Sequence, residues 1–218
     1  MEWTAMLLLG AYHGLNPGMG WLFAVALGMQ AGNARGVWRA LPPIALGHAL
    51  AVGVILAAAS LAQMLIPLAP LKVVVACCLA TLGGYRLWRH RHPRFGGMQV
   101  GVRDLTLWSF LMASAHGAGF MMLPFVMTIP VDVLASGHAL AHPHVHAHAG
   151  HVAASATFPF MSAVALAVHT GAYLATTALA AYVAYRKLGL MFLRTAWFNM
   201  DWLWAGALVI TGIVVLLN

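Results

Sequence analysis

Long apolar runs, broken by short basic or polar connectors, repeat along the whole chain. Each run approaches the roughly 20 residues that a helix needs to cross the hydrocarbon core of a bilayer. Six transmembrane helices are expected, over Trp3–Met29, Leu41–Ile66, Lys72–Trp88, Leu105–Ile129, Phe158–Tyr185 and Trp202–Leu217. No polar stretch is long enough to fold as a separate soluble domain, so residues 1–218 are expected to form a single all-α integral membrane domain.

Composition strengthens this picture. The chain is 62% hydrophobic and 7% charged, whereas globular domains carry about 25% charged residues. The formal net charge of +7 raises nucleic acid or anionic lipid as partners, but no basic-aromatic surface pattern supports nucleic acid. The start MEWTAMLLLG has no basic leader and no A-x-A-like site, so the first apolar segment is expected to stay in the mature protein. Cys77 and Cys78 are adjacent within an apolar run and imply no disulfide framework; they are expected to be buried small hydrophobes.

The placement of the basic residues predicts topology. Arg35 and Arg39 follow the first span, Arg86, Arg89, Arg91, Arg94 and Arg103 surround the connector after the third, and Arg186, Lys187 and Arg194 lie between the fifth and sixth. The positive-inside rule makes these loops cytoplasmic, with the stretch RHRHPRF as a lipid-headgroup anchor. The connector around IPLAP, the His-rich loop 131–157 and both termini are then external. Spans one and four consequently enter from opposite sides, which predicts two inverted three-helix repeats, 1–90 and 105–218, joined by a basic cytoplasmic linker, 91–104.

An inverted duplication should leave similar residues at similar depths. AYHGLNPGMGWLF faces SAHGAGFMMLPF, ALGHALAVGV faces AVHTGAYLAT, and Ala76–Gly83 faces Ala205–Gly212. His13, His48, His116 and His169 fall about seven to eleven residues into their spans, roughly 10 to 16 Å deep. A histidine buried at that depth costs several kcal/mol without partners, so intramembrane histidines mark candidate sites, against the plainer reading of interhelical hydrogen-bond glue.

The first span also carries a helix breaker. Pro17 has no N–H, which frees the carbonyl of His13, and Asn16 shares the His13 face at a spacing of three residues. Pro124 should free the carbonyl of Phe120 near His116 in the same way. Imidazole nitrogen with amide and carbonyl oxygen suits borderline divalent ions such as nickel, cobalt or zinc, and a thioether from Met19 would tilt the site toward copper. The metal-site candidates are therefore His13, His48, His116, His169, Asn16 and Met19. A second set, His138, His142, His144, His146, His148 and His151, is expected to capture metal loosely from an extended external segment.

His13-Gly14-Leu15-Asn16-Pro17-Gly18-Met19-Gly20 resembles the H-x-x-x-P-G-H-G-K signature of NicO-type nickel/cobalt exporters, within the lysine-exporter-like superfamily. Leu46-Gly47-His48-Ala49 resembles the L-G-H-S element of the related nickel/cobalt permeases. The resemblance implies about six helices, divalent-metal transport, and metal-ligating histidines at His13 and His48. It departs at Met19 and Trp21, where the exporters carry histidine and lysine, and at His116-Gly117-Ala118-Gly119, where they carry P-C-P.

These readings lead to a secondary transporter for a divalent transition metal, not an enzyme, in a bacterial inner membrane. Its expected partners are membrane lipid and the metal ion, with a second copy or partner subunit left open. Two alternatives stand beside it. Export of a small organic cation or amino acid calls for carboxylates, and only Asp104, Asp132 and Asp201 are on offer. A metalloprotein or metal-delivery subunit holding iron or copper usually recruits carboxylates or dense His clusters.

Overall fold

A computed structural model describes residues 2–65, 68–88, 101–127, 146–188 and 200–217. The described elements are helical. The first apolar run forms α1 (Glu2–Leu15), a 3₁₀ turn (Pro17–Met19) and α2 (Trp21–Gln30). Proline is tolerated as the first residue of a turn, where its missing N–H has no helical partner to lose. Asn16 caps that turn, its Oδ1 accepting from the Gly18 N–H at 2.9 Å. Gly20 leaves the turn at φ +125°, and a Cβ there would meet Ile44 Cγ2 at 2.8 Å. Only glycine satisfies both demands without strain.

The second run, α3 (Ala34–Leu65), begins well before Leu41 and continues through Pro42 and Pro43. Asn33 sets this earlier start by accepting from the Arg35 N–H at 3.0 Å. The added turns are amphipathic, with Val37, Ala40 and Leu41 buried and Arg35, Trp38 and Arg39 exposed. Next come α4 (Leu68–Trp88), α5 (Val102–Ala115) and α6 (Ala118–Met127). Asp104 caps α5, accepting from the Gly101 N–H at 2.9 Å. The described parts of α5 and α6 meet at a 59° bend, and the break falls at His116–Gly117 rather than at Pro124, which lies inside α6. Gly117 has φ +69°, the left-handed conformation that closes a helix.

The helix α7 (His146–Val183) ends in a π-helical turn (Ala184–Leu188), and α8 (Met200–Leu217) completes the described chain. The start of α7 corrects the expected loop 131–157. The backbone of residues 146–157 is helical, in keeping with their alanine content, rather than extended. His138, His142 and His144 lie outside the described residues, as do 91–100 of the basic linker.

Ala34–Ala62 and Phe160–Lys187 are long and apolar enough to cross a membrane, and the bent α5–α6 pair adds a third span if counted as one. Large apolar side chains cover the outside of the bundle as well as its core, and a small set of polar groups is enclosed. Leu7, Leu8, Leu46, Val54, Leu61, Val74, Leu107, Phe160, Leu179 and Ile210 are exposed, whereas His13, His48, His116, His169, Ser109 and Thr177 are buried. An apolar exterior of this extent suits lipid, not water. Cys77 lies on that exterior and Cys78 is half-buried, so neither is the core residue expected from sequence.

Packing follows a paired scheme in which α1 lies chiefly on α7, α3 on α5 and α4 on α8. Small residues permit each approach. A Cβ on Gly14 would lie 2.5 Å from the Tyr173 carbonyl oxygen, and one on Gly47 would strike the Thr106 carbonyl. The α4–α8 contact is reciprocal: a Cβ on Gly83 would lie 3.2 Å from the Ala205 carbonyl oxygen, and one on Gly212 would lie 3.3 Å from that of Ala76.

Candidate histidine site

His13, His48 and His169 come from α1, α3 and α7, and each is fully buried, at 0% exposure. The fold brings their rings together. Ring centroids are 5.5 Å apart for His13 and His48, 5.0 Å for His13 and His169, and 5.4 Å for His48 and His169. His48 Nε2 lies 3.2 Å from His169 Nε2. One of these nitrogens must therefore carry the proton and the other present its lone pair.

His13 and His116 share a local device. Nδ1 of His13 donates to the Leu9 carbonyl at 2.7 Å, and Nδ1 of His116 donates to the Met112 carbonyl at the same 2.7 Å. A carbonyl can only accept, so the proton sits on Nδ1 and Nε2 is left as the acceptor of each neutral ring. His116 is the C-terminal cap residue of α5. Nδ1 of His48 has no hydrogen-bond partner among the described residues. For His169, the Met6 backbone carbonyl is near enough to act on the ring, although no hydrogen bond of good geometry reaches Nδ1.

The residues around Pro17 are tied to their own backbone and to α7. The His13 carbonyl accepts from the Asn16 N–H at 3.2 Å, so it is occupied within the chain. Asn16 spends its side-chain oxygen on Gly18, and Trp21 Nε1 donates to the Leu15 carbonyl at 3.1 Å. Met19 is buried, and its carbonyl accepts from the Tyr173 hydroxyl at 2.6 Å. Asn16 and Met19 thus build an elbow beside the histidines.

Comparison with family models, with curated proteins and with solved structures finds no match. Among the described residues, no group of three or more His, Cys, Asp or Glu side chains is arranged as a ready metal site. Asp104 is the only carboxylate whose side chain is described, and it caps α5.

Sequence reasoning missed Tyr173, whose ring stacks on His48 with centroids 3.9 Å apart and planes 11° from parallel. Its spacing of four residues from His169 places both on one face of α7, which was the available signal. Ser109 and Thr177 were missed as well. Ser109 Oγ donates to the Ile44 carbonyl at 2.7 Å, and Thr177 Oγ1 lies 3.5 Å from the Gly14 carbonyl.

Proposed function

We propose that the chain is a secondary transporter that carries a divalent transition-metal ion across the membrane by way of His13, His48 and His169. The observation that carries this reading is the convergence of imidazoles from α1, α3 and α7 in a fully buried cluster inside an apolar bundle. Three histidines buried together are costly in hydrocarbon unless their nitrogens find partners, and a cation of borderline softness is the partner that imidazole prefers. The 3.2 Å between the Nε2 atoms of His48 and His169 is close to the ligand–ligand edge of about 3.3 Å in a tetrahedral site with metal–nitrogen bonds of about 2.0–2.1 Å.

In this reading the ring that carries the Nε2 proton between His48 and His169 shifts to its Nδ1–H tautomer as the ion takes both Nε2 lone pairs, and His13 turns to supply a further nitrogen. Assembly on binding, and release on opening, are what a cargo site needs. The C-terminal ends of α1 and α5 stop near His13 and His116, where the negative ends of the helix dipoles favour a cation. Nickel and cobalt are the favoured cargo, with zinc and copper next, in line with the NicO-like motif from His13 to Gly20.

Six spans in two inverted repeats give this reading its architecture. It is supported by the reciprocal Gly83–Ala205 and Gly212–Ala76 contacts, by the matching Nδ1 bonds of His13 and His116, and by the meeting of His48 with His169. The exposed Arg35 and Arg39 begin α3, Arg103 begins α5, and Arg186 and Lys187 lie in the π-helical turn that follows α7. Trp38 meets Tyr182 at 5.9 Å, so these termini of α3 and α7 share one end of the bundle. That end is the cytoplasmic face of an inner membrane in the proposed topology.

Titration of purified protein with nickel or cobalt tests the site. The native chain should bind with a measurable affinity that falls at least tenfold in His48→Ala and in His169→Ala. Equal affinity in all three proteins would overturn the assignment of the ligands.

A further inference from the structure

The histidine cluster is closed on all sides, with His13, His48 and His169 at 0% exposure. An ion reaches it only if a neighbouring element moves. The elbow at residues 16–20 is the irregular backbone nearest to His13, and most of its ties are internal. Asn16 holds Gly18, and Trp21 holds the Leu15 carbonyl. The tie that comes from another helix is the 2.6 Å hydrogen bond from the Tyr173 hydroxyl to the Met19 carbonyl.

The same phenol ring lies face to face with His48 at 3.9 Å. Tyrosine has only two side-chain torsions, so its hydroxyl cannot follow a moving Met19 without turning the ring away from His48. Resting on the reading of His48 as a ligand of the transported ion, we propose that Tyr173 is a positioning residue that couples the elbow at Asn16–Gly20 to the histidine site. Opening of the elbow frees His48 from its stack, and reorientation of His48 around an ion releases the elbow.

The surroundings make the connection tight. Tyr173 and its neighbours Ser109 and Thr177 are at most 1% exposed, and the hydroxyls of Ser109 and Thr177 are spent on the Ile44 and Gly14 carbonyls. Solvent cannot replace the bond to Met19 when it breaks, so the bond is either made or costly to lose. The latch also distinguishes the two halves of the chain. Val52 stands four residues after His48, as Tyr173 stands four after His169, and valine has no group to hold a carbonyl. The elbow of the first half is therefore latched to the site, whereas the break at Gly117 has no equivalent tie from Val52.

Hydrogen exchange of residues 16–20 reads the latch directly, in native protein, Tyr173→Phe, His48→Ala and the double variant, each with and without nickel. Without metal, Tyr173→Phe should raise exchange there about fivefold or more, the effect of one buried hydrogen bond. His48→Ala should raise it too, because the phenol loses its seat, and the double variant should be no worse than Tyr173→Phe. With nickel, native protein should change its exchange at 16–20, whereas Tyr173→Phe should still bind the ion but lose that response. An elbow in His48→Ala that exchanges at the native rate would overturn the latch, whatever the metal does. Nickel binding absent from the native protein would instead overturn the cation site, with the metal-free comparison still deciding the latch.

Discussion

His48 and His169 meet Nε2 to Nε2 at 3.2 Å, while His13 turns its Nδ1 to its own helix. These rings were legible from sequence because histidine is so rarely placed in an apolar run. The role of Asn16 was not, since a side chain three residues from His13 can serve either an ion or its own backbone. The structure gives its oxygen to Gly18, and substitution separates the two roles. Asn16→Ala should lower stability by about 1 kcal/mol, as loss of a cap does, visible as a lower unfolding midpoint, and Asn16→Ser should restore it. Nickel affinity should stay within about twofold in both. Tyr173 was invisible to a search for metal ligands because its contribution depends on what its ring and hydroxyl touch, and both partners are distant in sequence.

At the scale of elements, hydrophobic runs located the described helices, of which two, or three with the bent α5–α6 pair, are long and apolar enough to cross a membrane. Boundaries were less legible where side chains decide them. Asn33 starts α3 earlier than the apolar run suggested, and alanines carry α7 back to His146. Prolines were the poorest guide. Pro17 marks a break, Pro42, Pro43 and Pro124 do not, and the break in the second half falls at Gly117. Helix pairing rests on small residues instead. Gly14→Leu should force α1 away from the backbone of Tyr173, costing about 1–3 kcal/mol or more by overpacking. Thermal unfolding of that variant in detergent should show a clear loss, whereas Gly84→Leu, at a site with nothing within 4 Å, should leave the midpoint nearly unchanged.

For the whole molecule, the decisive feature is an apolar exterior around an apolar core that encloses a few polar groups, the histidines with Ser109, Tyr173 and Thr177. Composition made the apolar, helical character legible, because it acts through solvent rather than through particular contacts, and the basic residues supply the orientation proposed above. The paired scheme of helices was only faintly legible, since matching alanines and glycines arise easily in such a sequence. Sidedness can be read with a membrane-impermeant maleimide in a Cys77→Ser, Cys78→Ser background. Arg39→Cys should label only from the cytoplasmic side and Lys72→Cys only from the other, because these residues lie toward opposite ends of the α3–α4 hairpin. The central claim is that the buried histidines carry an ion through the bundle. Flux of nickel or cobalt into proteoliposomes tests it most directly, with native protein beside His48→Ala and His169→Ala reconstituted to equal density. Saturable flux that falls at least tenfold in both variants is the result expected. Flux in the variants equal to that of the native protein, or none above protein-free vesicles in any of them, would contradict the account.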